Sequence, residues 1–302
     1  MKKYIKAALN KLPYVRTLYK ANEKARRYSW YPPGHFYSPV ISTDEISKRQ
    51  NAIWKNPVPE GIDGIQLNDE RQLALLHQLV SYYPEMPYGD NARDDVRYYP
   101  DNEYYKITDA FILYAMIRHF KPHRIIEAGS GFSSAVMLDT RQHFLQNDLK
   151  LTFIEPYPER LHGLMNEPDR VNSTILPLML QNTELSLFEE LGENDILFID
   201  STHVSKTGSD LNFLLFSILP RLKSGVLIHF HDVFYPFEYP REWVLSGCNW
   251  NEDYFLRAFL MYNDSFSIEL FSHYLYSRHH GALANMPLGQ HNSWASLWIR
   301  KK

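Results

Sequence analysis

The chain has 302 residues, 44% of them hydrophobic and 22% charged, with a formal net charge of −3. That length carries one large domain with an appendage or two small ones, and the composition supplies a sizeable core. The charge balance excludes the basic excess of a nucleic-acid binder, and the lone cysteine, Cys248, excludes a disulfide framework or a cysteine zinc site.

A single cysteine also fits a reducing, cytoplasmic setting. No apolar run is long enough to cross a bilayer. The basic N-terminus lacks the continuous apolar segment of a signal peptide, because Lys residues and Pro13 interrupt it.

Residues 1–27 carry nine basic side chains, from Lys2 to Arg27, against one acid, Glu23. Tyr4, Ile5, Ala8, Leu9 and Leu12 recur at helical spacing, which predicts a short amphipathic basic helix. Such a helix is either a solvated surface element or a peripheral membrane contact. Residues 28–60 hold Tyr31-Pro32-Pro33-Gly34, Pro39, Pro57 and Pro59 and read as irregular and extended. Residues 68–83 read as a helix with Leu73, Leu75, Leu76 and Leu79 on one face, followed by a turn-rich aromatic stretch from Pro84 to Asn102.

From about 105 the pattern changes. Ile107–Phe120 fits a helix. Strands are expected at 123–128, 151–154, 174–178, 195–199, 225–230, 266–270 and 296–299. Helices are expected at 132–146, near 157–166, at 208–219 and at 250–261. Alternation of short apolar strands with helices predicts a doubly wound, mostly parallel α/β sheet, and hence a Rossmann-like domain over 105–302 behind a helical and irregular extension over 1–104.

The most informative segment is Ile125-Ile126-Glu127-Ala128-Gly129-Ser130-Gly131-Phe132-Ser133-Ser134. A strand runs into a Gly-rich turn that opens a helix. Gly129 and Gly131 let the backbone approach a ligand, and Ser133 or Ser134 is placed to cap the helix. A second strand ends at Glu155, where an acid accepts hydrogen bonds from ribose hydroxyls. No Lys follows the turn, so this is not a phosphate-binding loop. Glu127 beside it suits a cationic or zwitterionic ligand such as S-adenosylmethionine.

These residues resemble the first motif of class I S-adenosylmethionine-dependent methyltransferases. Residues from about 100 to 275 are similar to a bacterial branch related to sugar and macrolide O-methyltransferases and to cephalosporin hydroxylase-like proteins. The resemblance rests on Glu127–Ser134, Phe153-Ile-Glu-Pro156, Asp195-Ile-Leu-Phe-Ile-Asp-Ser-Thr-His203 and Gly225-Val-Leu-Ile-His-Phe-His-Asp232. It implies that Glu127, Gly129, Gly131 and Ser133 lie at the methionine part of the cofactor. It also implies that Glu155 holds the ribose, that Gln181 approaches the adenine and that Asp200 borders the cofactor. The acceptor implied is a small-molecule or lipid-linked carbohydrate of surface-polysaccharide synthesis.

Asp200, followed by Ser201, Thr202 and His203, ends the fourth strand; His229, His231 and Asp232 end the fifth. Two roles follow. Asp200 and Asp232 offer hard oxygen ligands for Mg2+, which would orient the acceptor hydroxyl and lower its pKa. Alternatively His203 or His231 takes the hydroxyl proton as a general base. Catechol-type relatives carry Asp-Asn at the second position, where this chain has His231-Asp232, or Asp232-Val233 counted forward. Strand alternation puts His229 and His231 on one side, and Asp232 on the other if the strand continues; His229, inside the strand, reads as structural. The aromatic stretch Val233–Asn249, with His35, Tyr37, Tyr104 and Tyr105, is expected to carry acceptor specificity. The competing functions are an NAD(P)-dependent oxidoreductase, which the missing third Gly argues against, a nucleotide-sugar glycosyltransferase, which the lack of an Asp-x-Asp pair argues against, and a non-catalytic cofactor-binding protein.

Overall fold

The computed structural model describes residues 12–89, 95–146, 148–283, 288 and 294–302. The chain divides into two compact units. The smaller contains helices α1 (Pro13–Tyr28) and α2 (Thr43–Ile53) with Pro240–Asn249, and the larger spans Asn56–Tyr239 and Trp250–Lys302.

Helix α1 begins with Pro13 in its first turn, where a missing N–H costs nothing. Residues 1–11 of the expected basic helix lie outside the described residues. Helix α2 corrects the expectation of an irregular 28–60. The Ser42 hydroxyl accepts from the Glu45 N–H at 3.4 Å, and Asp44 and Glu45 complement the helix N-terminus. The flanking prolines disguised a short, well-capped helix.

The larger unit is built on a seven-stranded sheet. Its strands are β1 (Arg124–Ala128), β2 (Lys150–Ile154), β3 (Ser173–Leu176), β4 (Ile196–Ile199), β5 (Leu227–His231), β6 (Phe266–Phe271) and β7 (Ser296–Lys301). The order is β3-β2-β1-β4-β5-β7-β6, with β1 to β5 parallel and β7 antiparallel to both neighbours. The expected doubly wound α/β fold is therefore present. Every residue of β4 and β5 is buried, as an apolar strand covered on both faces must be.

Around the sheet lie α3 (Asp69–Val80), α4 (Ile107–Phe120), α5 (Phe132–Phe144), α6 (Glu159–Leu164) and, after α7 (Arg241–Leu245) in the smaller unit, α8 (Glu252–Leu260). Residues Thr108 to Ile117 of α4 are all buried, so this helix is core on every side. It ends at Lys121 in the left-handed region, before Pro122. The expected helix 208–219 is only one α-helical turn, Asp210–Phe213. The chain then widens into a π turn over Leu214–Ile218 and closes as a 3-10 turn containing Pro220, which has no N–H to continue an α-helix. No helix among the described residues is long and apolar enough to cross a membrane.

Candidate active site

The strand register assembles the site. Ala128 pairs with Ile154 on one side and Ile199 on the other, and Ile199 pairs with Phe230. The next residue of each strand therefore falls in one row: Glu155, Gly129, Asp200 and His231. Between β1 and β4 the strand order reverses, and the crevice there is where ligands sit in open α/β sheets.

Gly129 has a φ of +87°, and a Cβ on it would lie 1.7 Å from the Asp200 carbonyl oxygen. Only glycine lets β1 turn this close to β4. The Ser130 N–H donates to Glu155 Oε2 at 3.1 Å, and the Tyr157 N–H donates to Oε1 at 2.8 Å. Glu155 thus ties the Gly-rich turn to the loop after β2.

Glu127 takes a different place from the one expected. It is fully buried and does not line the cleft. Ser133 Oγ donates to its Oε1 at 2.5 Å, and Ser134 Oγ donates to Oε2. Burial pushes the Glu127 carboxyl up to about 8, against the pull of those hydroxyls. It braces the turn from beneath. The serines also do not act as N-caps: Gly131 occupies that position, and Ser134 Oγ accepts from its N–H at 3.0 Å.

Gly129, Gly131, Ser133, Glu155 and Asp200 line one cleft together with His203, His231 and Asp232. Tyr104 and Tyr105 border it, as expected. Gln181 does not: it sits on a 3-10 turn at Leu180–Asn182, with its amide nitrogen 3.6 Å from the Met179 sulfur. His35 and Tyr37 belong to the smaller unit, where their rings pack with Tyr31 and Phe36. Phe234, Tyr235, Phe237 and Tyr239 are buried packing residues, set against Phe271, Tyr274 and Trp250 among others, so they offer no aromatic surface to a ligand.

At the β4 end, the Thr202 N–H and hydroxyl donate to Asp210 at 3.1 and 2.6 Å and fix the loop. His203 follows in the left-handed region. Its Nδ1–H donates to Glu252 at 2.7 Å, its Nε2 lies 3.4 Å from Asp200 Oδ1, and Trp250 lies against its ring. Burial opposes a charge on this imidazole, but hydrogen bonding and attraction from Asp200 and Glu252 prevail and raise His203 to about 10. His203 therefore stays protonated at neutral pH, and the expectation that it serves as a free base is revised.

At the β5 end, Asp232 has a φ of +55°, so the strand stops instead of alternating. The condition for placing Asp232 on the opposite side, a continuing strand, is not met. His231 Nδ1 lies 3.5 Å from Asp232 and 3.7 Å from Asp200, and Nε2 lies 3.8 Å from Asp109. Burial opposes protonation of His231, yet the carboxylates of Asp232 and Asp200 hold its pKa well above the ordinary value. Burial alone would raise the Asp200 carboxyl, but His231 and His203 bring it down to about 2. One ligand atom each from Asp200, His231 and Asp232 lies within 4.8 Å of the others, a grouping that could hold a metal ion. His229 is structural, stacked on Phe198 with ring centroids 3.8 Å apart and kept neutral by burial.

Sequence reasoning missed Asp109, Arg160, Trp250 and Glu252. Asp109 carried a usable signal as the sole acid in the apolar run Ile107–Phe120. Glu252 and Arg160 carried none, since acids at a helix start and basic residues on short helices are ordinary.

Residues 126–233 match the family model described as a methyltransferase domain. An uncharacterized protein of Archaeoglobus fulgidus is 34% identical over 170 residues, covering 55% of this chain and 76% of that protein. Among solved structures, the SAH-bound methyltransferase PaMTH1 of Podospora anserina is 16% identical, with a TM-score of 0.42, over 88% of this chain and 99% of that one. An apo structure of CmcI is 15% identical, with a TM-score of 0.43, over 73% and 83%. The O-methyltransferase TomG of Streptomyces achromogenes, in complex with SAM, is 11% identical, with a TM-score of 0.40, over 85% and 95%. Structural similarities this distant carry no functional weight. The matched domain, in contrast, spans the Gly-rich turn, Glu155, Asp200 and the β5 end. Residues 126–233 of the chain are thus a methyltransferase domain.

Proposed function

We propose that this cleft methylates a hydroxyl oxygen of a sugar or surface-polysaccharide precursor, with a divalent cation at Asp200, His231 and Asp232. The observation that carries the proposal is the convergence of those three side chains, within 4.8 Å, beside the Gly-rich turn. The two carboxylates are hard oxygen donors suited to Mg2+ or Mn2+, and His231 adds a nitrogen once the ion displaces its proton. An ion bound there would polarise the acceptor hydroxyl and lower its pKa. S-adenosylmethionine supplies a methyl group already activated on a sulfonium.

The chain's own part is alignment and charge. The Gly-rich turn and Glu155 seat the nucleoside, and the strand-end carboxylates face the positive sulfonium. The acceptor oxygen forms its bond to the methyl carbon as the carbon–sulfur pair leaves with sulfur. Alignment of those three atoms supplies most of the acceleration. The acceptor proton passes to solvent at the mouth of the cleft, because both nitrogens of His203 are already occupied by Glu252 and Asp200 and the strand-end carboxylates are engaged with the cation.

The test is incubation of purified protein with methyl-labelled cofactor and nucleotide-linked or lipid-linked sugars, before and after chelation. Chelation is expected to lower transfer by about 100-fold or more, in line with several kcal/mol of metal assistance. Mg2+ or Mn2+ should restore it in the native protein and fail to do so in Asp200→Asn. Full turnover after exhaustive chelation would reject the cation, and label on no carbohydrate would reject the acceptor class.

The same reading places the enzyme in the cytoplasm at an anionic membrane, near lipid-linked acceptors. On α1, Tyr14, Leu18, Ala21 and Tyr28 fall along one side, and Arg16, Lys20 and Lys24 along the other. Tyr14, Leu18 and Tyr28 are exposed, and Trp30 beyond them is 98% exposed. Basic residues contribute about 1 kcal/mol each near an anionic surface. Flotation with acidic vesicles at low salt is expected for the native chain and not for a Leu18→Glu, Lys20→Glu double variant. Equal flotation of the two would remove the membrane from the proposal.

A further inference from the structure

Charge matching within the cleft leaves one cation over. His203 is met by Glu252 and Asp200, and His231 by Asp109, Asp200 and Asp232. Arg160, the remaining lining cation, has no carboxylate partner among the described residues. Its guanidinium lies over the Tyr104 ring, 3.9 Å from the centroid. Its Cδ and Nη1 would lie 3.4 and 3.7 Å from a Cβ on Gly131, so the side chain reaches across the Gly-rich turn. Both Arg160 and Tyr104 are exposed at the mouth of the cleft.

A guanidinium stacked on an aromatic ring keeps its in-plane N–H groups free, in the fork geometry that binds a carboxylate through two hydrogen bonds. The ring supports the charge from one face without consuming a donor. The rest of the lining offers acids: Glu155, Asp200 and Asp232. A zwitterionic amino-acid ligand has one group that those acids repel, its carboxylate.

We propose that Arg160, braced by Tyr104, binds the α-carboxylate of the methionine part of S-adenosylmethionine. The inference rests on the methyltransferase reading of the cleft and names the residue that recognises the cofactor's only anion. It assigns Arg160 a binding role and no part in the chemistry of transfer.

Calorimetry on the full-length protein tests it with two ligands. One is S-adenosylhomocysteine. The other is its decarboxylated analogue, S-adenosyl-3-thiopropylamine, which keeps the amine and the nucleoside. The native protein should prefer S-adenosylhomocysteine. Arg160→Gln should weaken that ligand by about 10- to 100-fold, the scale of a charge-assisted hydrogen bond, and leave the decarboxylated analogue within about two-fold, which abolishes the preference. Tyr104→Leu should give a smaller loss of the same kind, about three-fold, as expected for an exposed cation–π contact. Equal losses for both ligands, or none for either, would overturn the inference. So would unchanged S-adenosylhomocysteine affinity with a raised KM for the acceptor, which would move the anion to the acceptor. Failure of the native protein to bind either nucleoside would instead overturn the methyltransferase reading itself.

Discussion

The two ends of the cleft are built in opposite ways. At the end proposed to hold the cofactor, eight consecutive residues, Glu127–Ser134, form the strand end, the turn, the helix start and the brace beneath them. At the end proposed for the chemistry, Asp200, His203, His231 and Asp232 depend on Asp109 from α4 and Glu252 from α8, elements distant in the chain. A local device sets backbone shape at the first end. Long-range carboxylates set the charge of two imidazoles at the second. Shape follows from residue types in sequence, whereas charge state follows from what the fold brings near.

The largest test of this contrast is Gly129→Val, because Gly129 joins the two ends. Its Cβ would meet the Asp200 backbone at 1.7 Å, at a φ of +87°. The expected loss is at least about 4 kcal/mol, with a melting temperature lower by about 10 °C or more and no cofactor binding. Near-native melting with intact binding would separate the ends.

The next test stays within the cofactor end. The Glu127 carboxyl has a folded pKa of about 8 against an ordinary value of 4.5. Its proton is therefore held more tightly in the folded state. The stability this contributes is full below the unfolded pKa and is lost as pH rises through 8. Between pH 6 and 8 the loss is roughly 2 kcal/mol, at 1.36 kcal/mol per unit and with the folded group half titrated at pH 8. Thermal melts across that range should decline for the native protein and flatten for Glu127→Gln. Parallel curves would mean that Glu127 does not titrate there.

The smallest expected effect belongs to Glu252→Gln at the chemical end. It weakens a charged hydrogen bond to His203, worth about 1.5–3 kcal/mol. Turnover should fall by about 10- to 100-fold, while S-adenosylhomocysteine affinity stays within about two-fold. A matching fall in cofactor affinity would show that the ends are not independent.

What could be read in advance follows the same division. The strands and the helix Ile107–Phe120 were legible because their apolar spacing is local. Helix α2 was not, because prolines on both sides masked its Ser42 cap. The aromatic run Phe234–Tyr239 reads in sequence like a ligand platform, yet it is buried, since burial depends on Phe271 and Tyr274 arriving from elsewhere. Gln181 was placed by its position after β3, and the turn at Leu180–Asn182 keeps it out of the cleft.

By itself the sequence determined the order of strands and helices, the glycine turn after β1 and the acids at successive strand ends. Each of these is a matter of residue type and period along the chain. Tertiary structure alone decided that Glu127 lies beneath the turn instead of in the cleft, and that His203 is clamped between Glu252 and Asp200. It also turned Asp232 back toward Asp200 and His231 and left Arg160 without a carboxylate among the described residues. The reason is physical: burial and the distance to an opposite charge set a titratable group's state, and neither is a property of its neighbours in sequence.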